Sequence, residues 1–480
     1  MNRLLPLIVA ALLSASCALG PDYRRPAVPT PESFRHADAP SGEAQASLAD
    51  VKWFDLFQDP ALTSLVTAAL EQNFDLRIAS ERVLQARALA RISRADRFPT
   101  IDASAGVVST RASEEGGVPA GVDPEATFTQ AGFGLNWELD VWGRLRRLNE
   151  SALAQYFATE EARRGVMTTL VADVTETYLL LRALDLELSI ARRNRAVATD
   201  SLRLTQTRWE RGIATQLDVR QAEQLLHITS AQIAGFERDI ALTENLLSLL
   251  LGQVPGDIPR GLELEALRVP PAVPAGLPSA LLERRPDIRQ AEQELIAANA
   301  RIGAARAEYF PRISLTGFLG VESRALSDLL TASARTWTAS AGAAAPIFNA
   351  GRTGANVRFT EAVQRELVVN YQRAIYAALR EVSDALARHR RTSEQRAEQE
   401  RLVEALRASV RLSTQRYEGG IDNYLQVLDA QRNLFQVELD LVRLRQQELA
   451  AIVQLYRALG GGWDHEAART GAAVTSQGGR

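Results

Sequence analysis

The chain is written twice. "LEQNFDLRIASERVLQARALARISRADRFPTI" (Leu70 to Ile101) and "LERRPDIRQAEQELIAANARIGAARAEYFPRI" (Leu282 to Ile313) both open on Leu-Glu and close on Phe-Pro-x-Ile. Phe98 and Phe310 stand 212 residues apart. Further on, "ELDVWGR" ends at Arg144 and "APIFNAGR" at Arg352, an offset of 208. The same 208 separates "RWERGIATQLDVRQAE", from Arg208, and "RYEGGIDNYLQVLDAQ", from Arg416. The first copy therefore carries a few extra residues between Phe98 and Arg144. Any fold must accommodate two like units of about two hundred residues.

Proline divides each copy. None occurs between Pro124 and Pro255, nor after Pro346. Those tracts are rich in Ala, Leu, Glu, Gln and Arg, all strong helix formers. Each reads as a long helix, a glycine break and a shorter helix. Leu180, Leu181, Leu184 and Leu188 in one copy, and Leu425, Leu428, Leu434 and Leu441 in the other, recur at helical spacing and read as core seams. Polar residues between them exclude membrane helices. Before each long helix the period changes to two. From Gln130 to Val141, Ala131, Phe133, Leu135, Trp137, Leu139 and Val141 alternate with polar residues or glycine. Ile101 to Ser109, Ile313 to Val321 and Trp337 to Ile347 are weaker strands. Each copy thus holds one hairpin, with loops near Gly116 to Asp123 and Leu326 to Leu330. A small sheet packed on the helices would give the same pattern.

The expected organisation follows. Residues 1–16 form a signal peptide and 17–60 an extended segment. Residues 61–252 are the first repeat, with its hairpin at about 98–142. A Pro-rich linker, 253–280, leads to the second repeat, 281–460, with its hairpin at about 310–348. Residues 461–480 are a flexible tail.

The sole cysteine, Cys17, excludes an intrachain disulfide. It follows a short basic and apolar run that is too short to span a bilayer, and small residues precede it, as at a lipoprotein processing site. Lipidation at Cys17 is the expectation, and Ala18 after it suits sorting to the outer membrane. A formal net charge of −3 with no clustered basic face excludes a nucleic-acid binder. Four scattered histidines, His36, His227, His389 and His465, show no metal spacing. No catalytic constellation or cofactor motif is present, so an enzyme is not expected.

An exported chain with four half-apolar strands cannot span a membrane alone. Open edges in hydrocarbon leave backbone groups unpaired, and about eight strands is the practical minimum for closure. Three chains would pool twelve strands into a barrel able to enclose water.

The order Cys17, "GPDYRRPAVPTPESFR" (Gly20 to Arg35), twofold repeat, "RYEGGIDNYLQVLDAQRNLF" resembles the outer-membrane efflux channel family. These are TolC- and OprM-like proteins, and the chain is more similar to the lipidated OprM branch. The resemblance runs from Cys17 to about Gly462. It implies a mainly α homotrimer: a 12-stranded β-barrel in outer-membrane lipid continued by a long α-helical barrel in the periplasm. It also implies a periplasmic adaptor and an inner-membrane pump, of the RND type, as partners. The two helix breaks are then periplasmic tips. Gly212 and Gly419-Gly420 let the chain reverse, and Trp209, Thr215 and Asn423 lie where an adaptor would dock. By the same resemblance Arg416 and Tyr417 match tethering residues of a closed aperture, Leu425 a constriction, Asp429 a ring-forming acid and Asp218 an acid near the same opening. Gln426 departs from a second acid position of TolC-like members. Asp422 and Thr215 are candidate helix caps. Asp429 within an apolar seam reads as lumen-lining, since a buried acid is otherwise costly. The alternatives are an outlet for type I protein secretion and a coiled-coil scaffold lipoprotein.

Overall fold

The computed structural model describes residues 18–36, 47–50, 56–113, 115, 123–267 and 276–461. Cys17, the signal peptide, most of the first hairpin loop and the tail lie outside the described residues. Helices α1 (Pro60–Gln72) and α2 (Phe74–Ala95) lead into strands β1 (Thr100–Arg111) and β2 (Glu125–Leu139). Then follow α3 (Arg144–Glu210) and α4 (Gln216–Leu250). The second copy repeats the order after the single turn α5 (Leu281–Arg284): α6 (Pro286–Ala307), β3 (Arg312–Ser323), β4 (Arg335–Ala344), α7 (Arg352–Glu418) and α8 (Tyr424–Ala458). The duplication is kept in the elements: α3 and α7 both have 67 residues, α4 and α8 both 35.

The chain divides into two compact units. The first comprises Met1–Ala27, Arg82–Glu160 and Gln290–Tyr371 and contains the sheet. Its four strands are antiparallel in the order β1-β2-β3-β4, with β2 and β3 joining the copies. Residues directly opposite share a face. Ala103, Phe133, Leu319 and Trp337 therefore form one apolar row. Ile101, Leu135, Gly317 and Ala339 form the next, and Trp137, Leu315 and Ala341 another. This face is not packed on helices: Trp337 is 73%, Leu319 67% and Phe133 60% exposed. The opposite face is mostly polar residues and glycine; its large apolar residues are Val108 and Phe128, which pair with each other, and Phe318, whose ring lies over the glycine pair Gly132 and Gly320. Among the described residues the outer edges of β1 and β4 pair with nothing.

Two strand limits differ from the sequence expectation. β2 begins at Glu125 and ends at Leu139, short of Val141. There the Asp140 carboxylate turns to accept from the Leu145 and Arg146 amides and starts α3. β4 spans Arg335–Ala344 and stops short of Ile347, because Pro346 has no N–H and restricts the residue before it.

The segment after Cys17 is strapped to the same unit. Leu19 N–H donates to the Trp142 carbonyl, and Arg147 bonds both the Leu19 carbonyl and Asp22. Asn299 holds the Pro21 carbonyl, and Tyr23 and Arg25 both reach Glu292. Glycines permit the contact. A Cβ on Gly20 (φ +103°) would stand 2.4 Å from the Gly303 Cα.

The second unit comprises Val28–Glu81, Glu161–Arg289 and Gln372–Arg480. Its central knot is Asp59, buried at the start of α1. One carboxylate oxygen caps the helix at the Ala61 amide; the other accepts from Tyr178 and from the Leu262 amide. Burial, with the neighbouring carboxylate, pushes the Tyr178 hydroxyl up to about 12. Asn73 separates α1 from α2, capping the new helix at Leu76 while donating to the Leu250 carbonyl.

Candidate functional site

The two helix breaks are built alike. In the first, Gly212 has φ +69°, its N–H donates to the Trp209 carbonyl, and Ile213 N–H donates to Arg208. In the second, Gly420 has φ +71°, with the same bonds to Tyr417 and Arg416. Each is a Schellman closure that needs a left-handed residue past the helix end. Only Gly420 of the second glycine pair supplies it; Gly419 is not in that region.

The caps that follow differ. Thr215 and Asp218 form a reciprocal capping box, with the Thr215 amide 2.8 Å from the Asp218 carboxylate. Asn423, its counterpart, makes no side-chain cap bond. Asp422 is not a cap either, contrary to expectation. Arg416 donates to both its oxygens at 2.6 and 3.1 Å, and that bidentate pair holds its carboxyl below the usual range. A guanidinium fork outcompetes a backbone amide for a carboxylate.

Behind the turns lies a small core of Ala198, Ala222, Leu225, Tyr417, Tyr424, Val427 and Leu428. Tyr417 is only 6% exposed, and its ring is tilted against Tyr424 at 5.5 Å. The Arg208 guanidinium sits 4.5 Å above the Tyr417 ring. Tyr424 and Ser201 share a hydrogen bond of 2.9 Å. Trp209, at the position matching Tyr417, is instead half exposed. The copies therefore share a backbone at the tips and diverge in what they bury.

Leu425 and Asp429 lie on the outer side of α8, away from this core. Leu425 is 49% exposed, Gln426 and Asp429 are exposed, and Asp429 accepts from Asn433 at 3.2 Å. Two sequence expectations change. Leu425 is no member of the core seam, nor is the exposed Leu180; the seam of α8 runs through Leu428, Phe435, Leu439 and Val442. Asp429 is therefore not an acid inside an apolar seam. It shares with Leu425 an exposed face one turn long.

The sequence reading overlooked acids that are buried. Glu438, on the packed face of α8, takes hydrogen bonds from Arg193 and Arg407. Glu448 pairs with Arg396 at 2.7 Å and Glu187 with Arg443 at 2.9 Å. Burial pushes the Glu187 carboxyl up, and Arg443 opposes the shift. The signal was present: Glu438 and Glu448 fall at apolar positions of the α8 repeat.

An exposed apolar sheet face with open edges, in a chain whose long helices end in glycine turns, is the build of a membrane channel protein. Among the described residues no helix is long and apolar enough to cross a membrane. The family described as Outer membrane efflux protein matches residues 65–253 and 277–461. The toluene efflux pump outer membrane protein TtgI of Pseudomonas putida is 42% identical over 95% of this chain and 97% of its own length. The probable outer membrane lipoprotein SilC of Salmonella typhimurium is 36% identical over 96% and 99%. The crystal structure of the open state of the Neisseria gonorrhoeae MtrE outer membrane channel superposes with a TM-score of 0.83 at 32% identity, over 93% of this chain and 98% of that one. The chain belongs to the outer membrane efflux protein family. It is an outer-membrane export channel, and its family is one of channels, not of enzymes.

Proposed function

We propose that three copies of this chain form one duct across the outer membrane and the periplasm. The carrying observation is the sheet: four strands, one exposed face crossed by apolar rows, and two edges that pair with nothing among the described residues. Edges cannot stay open in lipid, and β4 of one copy meeting β1 of the next closes twelve strands without one. The lengths of α3 and α7 suit the periplasmic wall, since 67 residues make a helix of about 100 Å. A lipid on Cys17 would sit next to Ala18, which packs against Gly143 at the end of the sheet.

The tips face the periplasm in this reading. Trp209, Gly212, Thr215, Gly419, Gly420 and Asn423 form the surface that meets a periplasmic adaptor, which connects the duct to an inner-membrane pump of the RND type. Leu425 and Asp429 bound the aperture. Asp218, Arg416 and Tyr417 brace it from behind. The pump supplies the energy and the channel a passive exit. The exported class is small apolar toxic compounds, as the name of the toluene-pump relative suggests.

The test is mass. Detergent-extracted full-length protein should have the mass of three chains. A monomer that keeps its full strand content would refute the assembly.

A further inference from the structure

The apolar face of the sheet carries three charged residues among those described: Arg111, Glu125 and Arg335. Arg111 and Glu125 bridge each other at 3.1 Å. Arg335 is exposed, and no acid in the described protomer pairs with it. It opens β4 at the loop end of the sheet, from which no α-helix departs among the described residues. In register it completes the row Ala105, Ala131, Val321, Arg335. One row further from the loops stand Ala103, Phe133, Leu319 and Trp337.

These two rows make a trough. Its floor is Ala103, Ala105 and Ala131, its walls are Phe133 and Leu319, and Arg335 stands at its loop end. Small residues beneath large ones leave room for an alkyl chain. An arginine at the water end of an apolar surface reaches outward, and its fork fits a phosphate bidentately. At the interface a lipid-facing cation costs little and lies level with lipid headgroups.

We propose that Arg335 and this trough bind a phosphorylated, multi-acylated lipid of the outer leaflet, one per protomer. The phosphate lies on the guanidinium, and an acyl chain lies over Ala105 and Ala131. This rests on the channel reading above, which puts the loop ends of the strands at the outer face of the membrane.

The test uses full-length protein in phosphatidylcholine nanodiscs supplied with bisphosphorylated lipid A, dephosphorylated lipid A or phosphatidylglycerol. Native mass spectrometry counts the lipids retained per trimer. The expected result is at least tenfold preference for bisphosphorylated lipid A, lost in Arg335→Gln and largely kept in Arg335→Lys. Arg312→Gln, on the opposite face at the helix end of β3, should leave the preference intact. Equal retention of phosphatidylglycerol and lipid A overturns the multi-acylated assignment. Arg335→Gln trimers that bind like wild type overturn the site. Absence of trimers from the discs overturns the channel reading and this site with it, whereas trimers indifferent to phosphate overturn the site alone.

Discussion

Arg208 and Arg416 hold the same place in the two copies, yet their guanidinium groups bind different partners. Arg208 reaches across to the Tyr417 ring, whereas Arg416 clamps Asp422 within its own turn. The first contact joins the two helical hairpins; the second fixes the shape of one tip.

Tyr417 is the element on which the first contact depends. Its hydroxyl is buried without a hydrogen-bond partner, so the ring and not the oxygen carries the packing. Tyr417→Phe should leave stability and resting conductance near wild type. Tyr417→Ala removes a buried aromatic, a loss of about 3 kcal/mol, and should raise resting conductance in planar bilayers. Equal behaviour of the two variants would show that the ring does not hold the tip.

The Arg416–Asp422 clamp should be sensitive to acid. The folded Asp422 carboxyl titrates below its unfolded value because Arg416 bonds the charged form. The contribution is therefore present above the ordinary Asp range, about pH 4, and is lost as pH falls through the depressed folded value. Hydrogen exchange in the peptide around Ile421 should stay slow near neutrality and quicken only in strong acid. Asp422→Asn should exchange quickly at neutral pH and show no acid step. A wild-type tip that loosens well above the ordinary Asp range would contradict this.

The fold was legible because duplication and period survive in single residues. The 208-residue offset placed both breaks, and the alternation around Trp137 placed a strand. What was not legible was azimuth. Leucine spacing identifies a helix but not which leucine faces in: Leu425 faces outward, while Leu428, three residues on, faces in. Pairing choices were equally hidden. Asp422 beside a glycine has the form of a cap, and only the fold brings Arg416 within reach. The Arg208–Tyr417 stack joins residues of different copies, which no local pattern reports.

The strap of residues 18–25 should be essential to the sheet-bearing unit. A side chain on Gly303 would begin 2.4 Å from the Leu19 carbonyl oxygen and 2.9 Å from the Arg147 Cγ. Gly303→Val should lose about 1–3 kcal/mol through overpacking and release the segment, so that trypsin cuts faster after the already exposed Arg24. Gly235→Ala, where nothing lies within 4 Å, is the control and should be neutral or stabilising. Unchanged tryptic resistance in Gly303→Val would mean that the strap seats elsewhere.

Docking is best probed at the turns and not at the caps. Ile213 and Ile421 are exposed at the two tips and take no part in the capping box. Cysteines there should crosslink to an adaptor in cells, and a cysteine at Leu330, in the β3–β4 loop, should not. The reverse pattern would invert the proposed orientation.

The aperture gives the last prediction. Leu425 and Asp429 are one turn apart on the exposed face of α8, and the core behind that face is complete without them. Neither is needed to fold the tip, so both are free to face an axis. Threefold symmetry would make one ring of leucines and one of carboxylates. The acids attract cations to the opening, and the leucines narrow it. Like charges on one axis also repel, so closure depends on the braces behind, not on the ring. Asp429→Asn should reduce cation preference, read as a shift in reversal potential across a salt gradient, with little change in conductance at rest. Leu425→Ala should raise resting conductance and leave cation preference nearly unchanged. The outcome that would sink the assignment is wild-type selectivity in the first variant together with wild-type resting conductance in the second, since both residues would then face away from the conducting path.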